Sequence, residues 1–582
     1  MNKCIQGCMK MSWEPDATTL DELRHFAIQN AIEYNGKANA KSVIGRVLST
    51  RADLRNHAKE ITSIISDEVE KANSLASSSG LETLTKILEI EAPHLLEARE
   101  KQERRSGLPD LPNATKGKVV LRFAPNPNGP LSVGHARGLV INGTYRDMYE
   151  GELILRFDDT DTSVKPPMIE AYAQIEQETK WLTGKAPERV IIASDRMETY
   201  YQYAEKMLLQ GFGYVCSCSA ETFKEFREQQ QNCPCRSRLP TENILLWQQM
   251  LHGEFKPGDV VVRVKTEMAL KNPALRDWPA LRLQDTDTHP HPRPEIGSRY
   301  KVWPLLDFQS AIEDHLQGVT HIIRGKDLMD STRKQTLLYE HFGWKYPETL
   351  YWGRVKIHEW GGFSTSAIRT SIEEGRYSSW DDVRLPTISG IKNRGITAEA
   401  LRLFWLELGI TQKDISVPLA TLFAHNTKTV DYTAPRLTFV RNPMQFSFSE
   451  HIETLSFPRH PNNKNLGKRT WPMVKKSVFI EKEDAEKHST LRLKECADVN
   501  ISGAEIRFLE TNHNHEKLPI VHWLPEDVSC DCTLLYSKDD EIHAIMGKSE
   551  RHEFPSGTIV QLERIGYAKV VDDSTFFLSY ED

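Results

Sequence analysis

A chain of 582 residues is too long for one hydrophobic core, so several domains are expected. With 39% hydrophobic and 27% charged residues it has an ordinary globular composition, and no apolar run reaches the roughly eighteen residues of a membrane span. A net charge of -7 gives no global attraction for nucleic acid, though a local basic face is compatible with it.

The N-terminal MNKCIQGCMKMSWEPD has no sustained apolar core, so no signal peptide is read there and a cytoplasmic location is expected. Residues 18 to 104 read as helices. TLDELRHFAIQNAIEYNG shows a Thr cap, an acidic first turn, apolar spacing near 3.6 and a closing Gly. SVIGRVLS, EITSIISDEVEKAN and LETLTKILEIEAPHLL repeat the pattern, and the Pro/Gly-rich RSGLPDLPNATKGK, residues 105 to 118, reads as a linker. From 119 strands alternate with helices. VVLRFAP, ELILRFDDTD and VTHIIRGKD are strands; METYYQYAEKMLLQG and STRKQTLLYEHFG are helices. This is a doubly wound α/β pattern. Residues 214 to 300 interrupt it as an insertion. Residues 350 to 425 return to helical patterning. Beyond 431, KSVFIEK, EIRFLET, TIVQLERIGYAKVV and TFFLSY predict one or two β-barrels.

Several stretches carry chemistry. In LRFAPNPNGPLSVGHARG a strand, a proline-broken turn and a helix N-terminus make a phosphate site. Gly129 and Gly134 would let a ligand approach the backbone, and His135 can donate to phosphate oxygens. RFDDTDT, residues 156 to 162, ends a strand with three carboxylates, which suggests a metal or a cation, or a helix cap for one of them. Arg122 and Arg324 lie in strands, where a guanidinium projecting into a pocket matches a carboxylate; a surface salt bridge is the plainer alternative. Four of the nine cysteines, Cys216, Cys218, Cys233 and Cys235, offer two tight thiolate pairs to a tetrahedral ion. Cys530 and Cys532 lack two further ligands nearby and are read as structural. In HPNNKNLGKRTWPMVKK, basic residues interleaved with Trp471 suit stacking and phosphate contact on unpaired bases.

RFAPNPNGPLSVGHARG resembles the first signature of class I aminoacyl-tRNA synthetases of the glutamyl/glutaminyl branch, in its archaeal and eukaryotic form. RFDDTDT, SDRMETYYQYAEKML, EDHLQGVTHIIRGKD, SSWDDVRLPT and LRLKECADVNI follow in the family's order, so the resemblance covers nearly the whole chain. It implies a multidomain α/β fold. A helical N-terminal appendage and linker would occupy 1–117, and a Rossmann-like catalytic domain 118–213 and 301–349. The acceptor-binding insertion with a zinc cluster would be 214–300, the helical stem-contact region 350–430, and the anticodon-binding β-barrels 431–582. It implies ATP-dependent activation of L-glutamate and transfer to the terminal ribose of tRNA(Glu), with Mg2+ accompanying ATP and a structural Zn2+.

Residue by residue, the resemblance assigns Pro130, Gly134, His135, Ser364 and Ser366 to ATP. Ser132 stands where the family's first signature histidine falls and His135 where the second does. Asp158 falls where the substrate ammonium is held, and Arg122 where glutamate is bound. Arg324 stands where glutamate enzymes carry Arg and glutamine enzymes an uncharged residue. Trp303 stands where many relatives have Tyr, with Tyr300 nearby. In GGFSTSAIRTSIEEG, at the KMSKS position, Ala367 replaces the last lysine, leaving Lys356 or Arg369 to supply the charge. Two alternatives stay open: a glutaminyl enzyme, which Arg324 opposes, and a non-catalytic tRNA-binding paralogue, which Ser132 and Ala367 favour. Also open is whether tRNA(Gln) is charged, the product then passing to a tRNA-dependent amidotransferase.

Overall fold

The computed structural model describes residues 15–96, 107–360, 365–509 and 518–580. Two compact units divide at Ser106/Gly107. The first holds helices α1 (Ala17–Glu33), α2 (Ala40–Thr50), α3 (Ala58–Ser79) and α4 (Leu81–Glu91) around Leu23, Ala31, Val47, Ile61, Ile65, Leu84 and Leu88. The cap differs from expectation. Asp16, not a threonine, caps α1 by accepting the Thr19 N–H at 2.7 Å. Asp21 and Glu22 therefore fall in the second turn. The expected glycine closure is present, Gly36 donating to the Ala31 carbonyl at 2.7 Å with φ +85°.

In the second unit, residues from 107 lie against the helix Val133–Tyr149: Leu111 is buried and Tyr145 Oη donates to the Pro109 carbonyl. The expected alternation follows as β1 (Val120–Phe123), α5 (Val133–Tyr149), β2 (Glu152–Phe157), α6 (Ile169–Thr183), β3 (Arg189–Ile192) and α7 (Met197–Leu209). The interruption is an antiparallel sheet of β4 (Gly213–Cys216), β5 (Val261–Val264), β6 (Pro279–Leu283) and β7 (Val302–Pro304). Helices α8 (Ala220–Glu228) and α9 (Pro240–Leu251) fall between its first two strands. The alternation resumes with α10 (Leu306–Leu316), β8 (His321–Gly325), α11 (Met329–Phe342) and β9 (Glu348–Trp352).

β1 and β3 flank β2, and β8 pairs with β9, all in parallel. Thr320 N–H donates to the Val120 carbonyl at 2.9 Å, setting β8 beside β1. Strand order thus reverses between β1 and β8, and the crevice beyond their carboxyl ends is where such sheets bind ligands.

The helical stretch contains α12 (Thr365–Glu373), α13 (Ile388–Asn393), α14 (Ala398–Leu408) and α15 (Leu419–Val430). It also holds a parallel pair, β10 (Val355–Ile357) and β11 (Ile415–Val417), which the sequence reading passed over. Three residues are too few to display a period of two. Beyond 431 lie two seven-stranded sheets containing every predicted strand. The hairpin Ser529–Lys538/Glu541–Glu550 turns at Asp539 and Asp540, whose φ of +49° and +64° are those of a type I′ turn. Among the described residues no helix is long and apolar enough to cross a membrane.

Candidate active site

The prolines of the signature turn hand their carbonyls to neighbouring loops. Pro125 O accepts from Asp158 N–H at 3.0 Å and Pro127 O from Met168 N–H at 2.8 Å. Leu131 N–H donates to Glu178 Oε2 at 3.0 Å, Val133 N–H to Pro386 O at 2.9 Å, and Ile388 N–H to Leu131 O at 2.8 Å. Pro130 is buried. Ser132 then caps α5 in a reciprocal box: His135 N–H donates to Ser132 Oγ at 3.4 Å, and Ser132 N–H donates to His135 Nδ1 at 3.2 Å. Because Nδ1 accepts, the neutral ring carries its proton on Nε2, the atom suited to donate to a phosphate oxygen. His135 is solvent-accessible but densely surrounded by protein, and that desolvation lowers its pKa.

The two glycines differ. A Cβ on Gly134 would meet nothing closer than Ser132 Oγ at 3.6 Å, and the residue is exposed, so a ligand can reach its backbone. A Cβ on Gly129 would lie 2.6 Å from Thr365 Cγ2, against Trp380 as well. Gly129 therefore serves the packing of the turn under α12 and not the approach of a ligand. Arg369, on α12, donates through Nη2 to the Asn128 carbonyl at 2.7 Å. Lys356 is exposed on β10 and makes no ion pair among the described residues. Ser366 is exposed in the first turn of α12; Ser364 lies outside the described residues.

The ends of β1, β2 and β8 carry a buried ionic cluster. Arg122 Nε donates to Asp314 Oδ1 at 3.3 Å, and Arg156 Nη1 to the same oxygen at 2.7 Å. Arg156 Nε reaches Asp158 Oδ1 at 2.8 Å, which also accepts from Gln309 Nε2 at 2.8 Å. Burial works against the Asp314 carboxylate, but the guanidiniums of Arg122, Arg156 and Arg324 together hold its pKa below the usual range. Arg324 is buried, with no ion pair among the described residues, so the surface-salt-bridge alternative does not apply. Its Nη2 donates to Gln335 Oε1 at 2.9 Å and to Tyr346 Oη at 2.8 Å. Its Nε is buried without a hydrogen-bond partner. Arg156, Asp314, Gln309, Gln335 and Tyr346 escaped the sequence reading. For Arg156 there was a signal, a charge within the apolar strand ELILRF.

The other acidic residues of RFDDTDT have different work. Asp159 is fully buried and accepts from Ser194 N–H at 2.8 Å, Ser194 Oγ at 2.7 Å and Tyr172 Oη at 2.7 Å. Asp161 Oδ1 caps a turn, accepting from Ser163 and Val164 N–H, where a helix cap was the alternative. These carboxylates do not converge, so no metal site forms here among the described residues. Trp303 is fully buried, donates through Nε1 to the Tyr300 carbonyl at 3.1 Å and stacks on His291. His291 in turn contacts the Asp159 carbonyl at 3.0 Å. Tyr300 packs edge-on against Tyr201 and Trp303.

The four cysteines of the insertion do converge, their sulfurs all within 4.8 Å of one another. Cys216 and Cys233 are 3.9 Å apart, Cys218 and Cys235 3.8 Å. Four thiolates about 2.3 Å from a tetrahedral zinc stand about 3.8 Å apart, so the set fits that ion. The hydrogen bond from Cys216, with further donors at Tyr214 Oη and two backbone N–H groups, outweighs burial and lowers the Cys233 pKa. Cys530 and Cys532 lie side by side, sulfurs 3.6 Å apart.

Trp471 overturns an expectation. It is buried against Phe457 and Trp523 and donates to Glu550, so it cannot stack on a base. Arg469 beside it is spent on Glu550 and Glu563, Arg492 on Asp498 and Lys494 on Glu563.

At the switch point of the parallel sheet, a crevice of buried guanidiniums thus lies beside the exposed N-terminus of α5. The model of class I tRNA synthetases (E and Q), catalytic domain, matches residues 118–432, and the anti-codon binding domain of the same group matches 434–516. The glutamate–tRNA ligase of Methanosarcina mazei is 43% identical over 564 residues, 94% of this chain and 96% of that protein. That of Methanosarcina acetivorans is 42% identical over 95% of this chain and 96% of its own. That of Archaeoglobus fulgidus is 41% identical over 94% and 96%. The chain belongs to the class I tRNA synthetases of the glutamate and glutamine group.

Proposed function

We infer that this chain is a glutamate–tRNA ligase, which activates L-glutamate with ATP and transfers it to the 3′ end of tRNA(Glu). The observation that carries the reading is the charge of the crevice. Arg122, Arg156 and Arg324 face Asp158 and Asp314, three guanidiniums against two carboxylates, leaving one buried positive charge in excess. Glutamate at neutral pH carries two carboxylates and one ammonium, a net single negative charge, which cancels it. Glutamine, neutral overall, does not.

The chemistry follows from positioning. Asp158 takes the substrate ammonium, and Arg122 and Arg324 take carboxylates. One carboxylate oxygen attacks the α-phosphorus of ATP and pyrophosphate leaves. The ribose hydroxyl then attacks the carbonyl of the mixed anhydride, and AMP leaves. No side-chain nucleophile is required, and catalysis is orientation plus charge stabilisation. His135 Nε2–H and the backbone N–H of the exposed Gly134 serve phosphate oxygens; Lys356 adds a cation, while Arg369 holds the turn. Mg2+ bound to ATP supplies further neutralisation of phosphate charge. The cysteine cluster holds a structural Zn2+ that staples the insertion facing the acceptor end. Purified protein should then contain about one zinc per chain, reduced by Cys233→Ser.

Glutamate-dependent ATP–pyrophosphate exchange, with and without tRNA, tests the reading; no exchange with glutamate under either condition would refute it. Charging of tRNA(Gln), with an amidotransferase completing the product, extends the same chemistry. It is tested by aminoacylating purified tRNA(Glu) and tRNA(Gln) side by side.

A further inference from the structure

We propose that Gln335, assisted by Tyr346, sets the selectivity for an anionic amino acid by keeping the charge of Arg324 uncompensated from behind. The proposal rests on the reading of Arg324 as the partner of the substrate side-chain carboxylate. Gln335 lies on α11 and is 1% exposed. Its amide is oriented by both ends: Nε2 donates to the Asp307 carbonyl at 3.3 Å, while Oε1 accepts from Tyr346 Oη at 2.6 Å and from Arg324 Nη2 at 2.9 Å. Turned over, the amide would set N–H groups against the guanidinium.

Both partners of Arg324 are neutral. Burial pushes the Tyr346 hydroxyl up to about 12, so it stays a phenol at physiological pH. The nearby carboxylate of Asp307 is spent on Lys334, at 2.7 Å. Arg122 and Arg156, by contrast, each have a carboxylate of the protein. Gln335 thus gives Arg324 a fixed position and a hydrogen bond without giving it a counter-charge. A glutamate at 335 would be almost the same shape and would stand at ion-pair distance. The guanidinium would then be satisfied internally, and a substrate carboxylate would meet a neutral pair. Gln335 is a positioning residue, acting through Arg324 on the choice of substrate.

The test is kcat/KM for glutamate and for glutamine, with KM for ATP as the internal control, in wild type, Gln335→Glu, Gln335→Met and Tyr346→Phe. Gln335→Glu should lower kcat/KM for glutamate by about 30-fold or more, chiefly through KM. The glutamate/glutamine ratio should fall by the same factor and KM for ATP stay within about twofold. Gln335→Met, which removes the acceptor but adds no charge, should cost about three- to tenfold and leave glutamate preferred. An unchanged ratio in Gln335→Glu, or an equal loss in Gln335→Met, overturns the proposal. Should Gln335→Glu fail to fold, Tyr346→Phe decides: a KM for glutamate raised about three- to tenfold at constant KM for ATP supports it, and an unaltered one refutes it. A wild type that cannot activate glutamate sinks the proposed function and this inference with it. Normal wild-type activity beside an indifferent Gln335→Glu sinks this inference alone.

Discussion

The charged crevice and the signature turn share the carboxyl ends of one sheet, yet they are built by opposite means. The crevice is made of side-chain charges, Arg122, Arg156, Asp158, Asp314 and Arg324, all buried and four of them locked to one another. The turn is made of backbone: a helix N-terminus, an exposed Gly134, and prolines whose carbonyls tie it to Asp158 and Met168. Charges in a low-dielectric site depend on each partner, whereas a helix N-terminus offers several N–H groups at once. In the turn, position 132 does its work as a helix cap, and a serine suffices for that.

The largest break should come in the crevice. Asp314→Asn leaves Arg122 and Arg156 without their shared counter-charge and should cost about 3–5 kcal/mol of stability in urea unfolding. The pH dependence has a definite sign. Asp314 has a lowered pKa in the folded protein, so its contribution is complete above the unfolded carboxylate pKa and is lost as the pH falls. The stability gap between wild type and Asp314→Asn should therefore begin to narrow near about pH 4. A gap constant from neutral pH to acid would mean that the charge does not matter.

Next is Arg324→Gln, which should lose about 2–4 kcal/mol of transition-state stabilisation toward glutamate in kcat/KM. Glutamine activity need not rise, since the rest of the pocket is not arranged for an amide. His135→Ala probes the turn and should slow adenylate formation about ten- to a thousandfold, with tRNA affinity unaffected in a filter-binding assay. The smallest effect should be Ser132→Ala, about 0.5–1 kcal/mol in thermal unfolding, with less loss of activation than His135→Ala. An activation defect as large as that of His135→Ala would show that Ser132 Oγ serves the ligand more than the helix.

The sequence made the framework legible where the patterns were long. β1, β2 and β8 stood out as apolar runs ending in polar residues, and the paired cysteines announced their own convergence. What was hidden depended on tertiary partners. Gly129 looked like the glycine that admits a ligand, but Thr365, more than two hundred residues away, occupies that space. Trp471 looked like a base-stacking platform among cations, but its neighbours are Phe457, Trp523 and Glu550, and the adjacent Arg469 is paired with Glu550 and Glu563. Asp314 and Gln335 sit in amphipathic helices whose buried face ordinarily carries apolar residues, so nothing local marked them.

The box that closes the first turn of α5 has a consequence for proton binding. Ser132 N–H points at His135 Nδ1, so a proton added there would set two donors face to face. Protonation therefore costs the Ser132 N–H half of the box, while the bond from His135 N–H to Ser132 Oγ does not involve the ring, and that loss adds to the desolvation that already opposes the cationic ring. Charging the imidazole thus costs the first turn one of its bonds. The start of a helix thus bears on the charge of one nitrogen, favouring the neutral ring with its proton on Nε2.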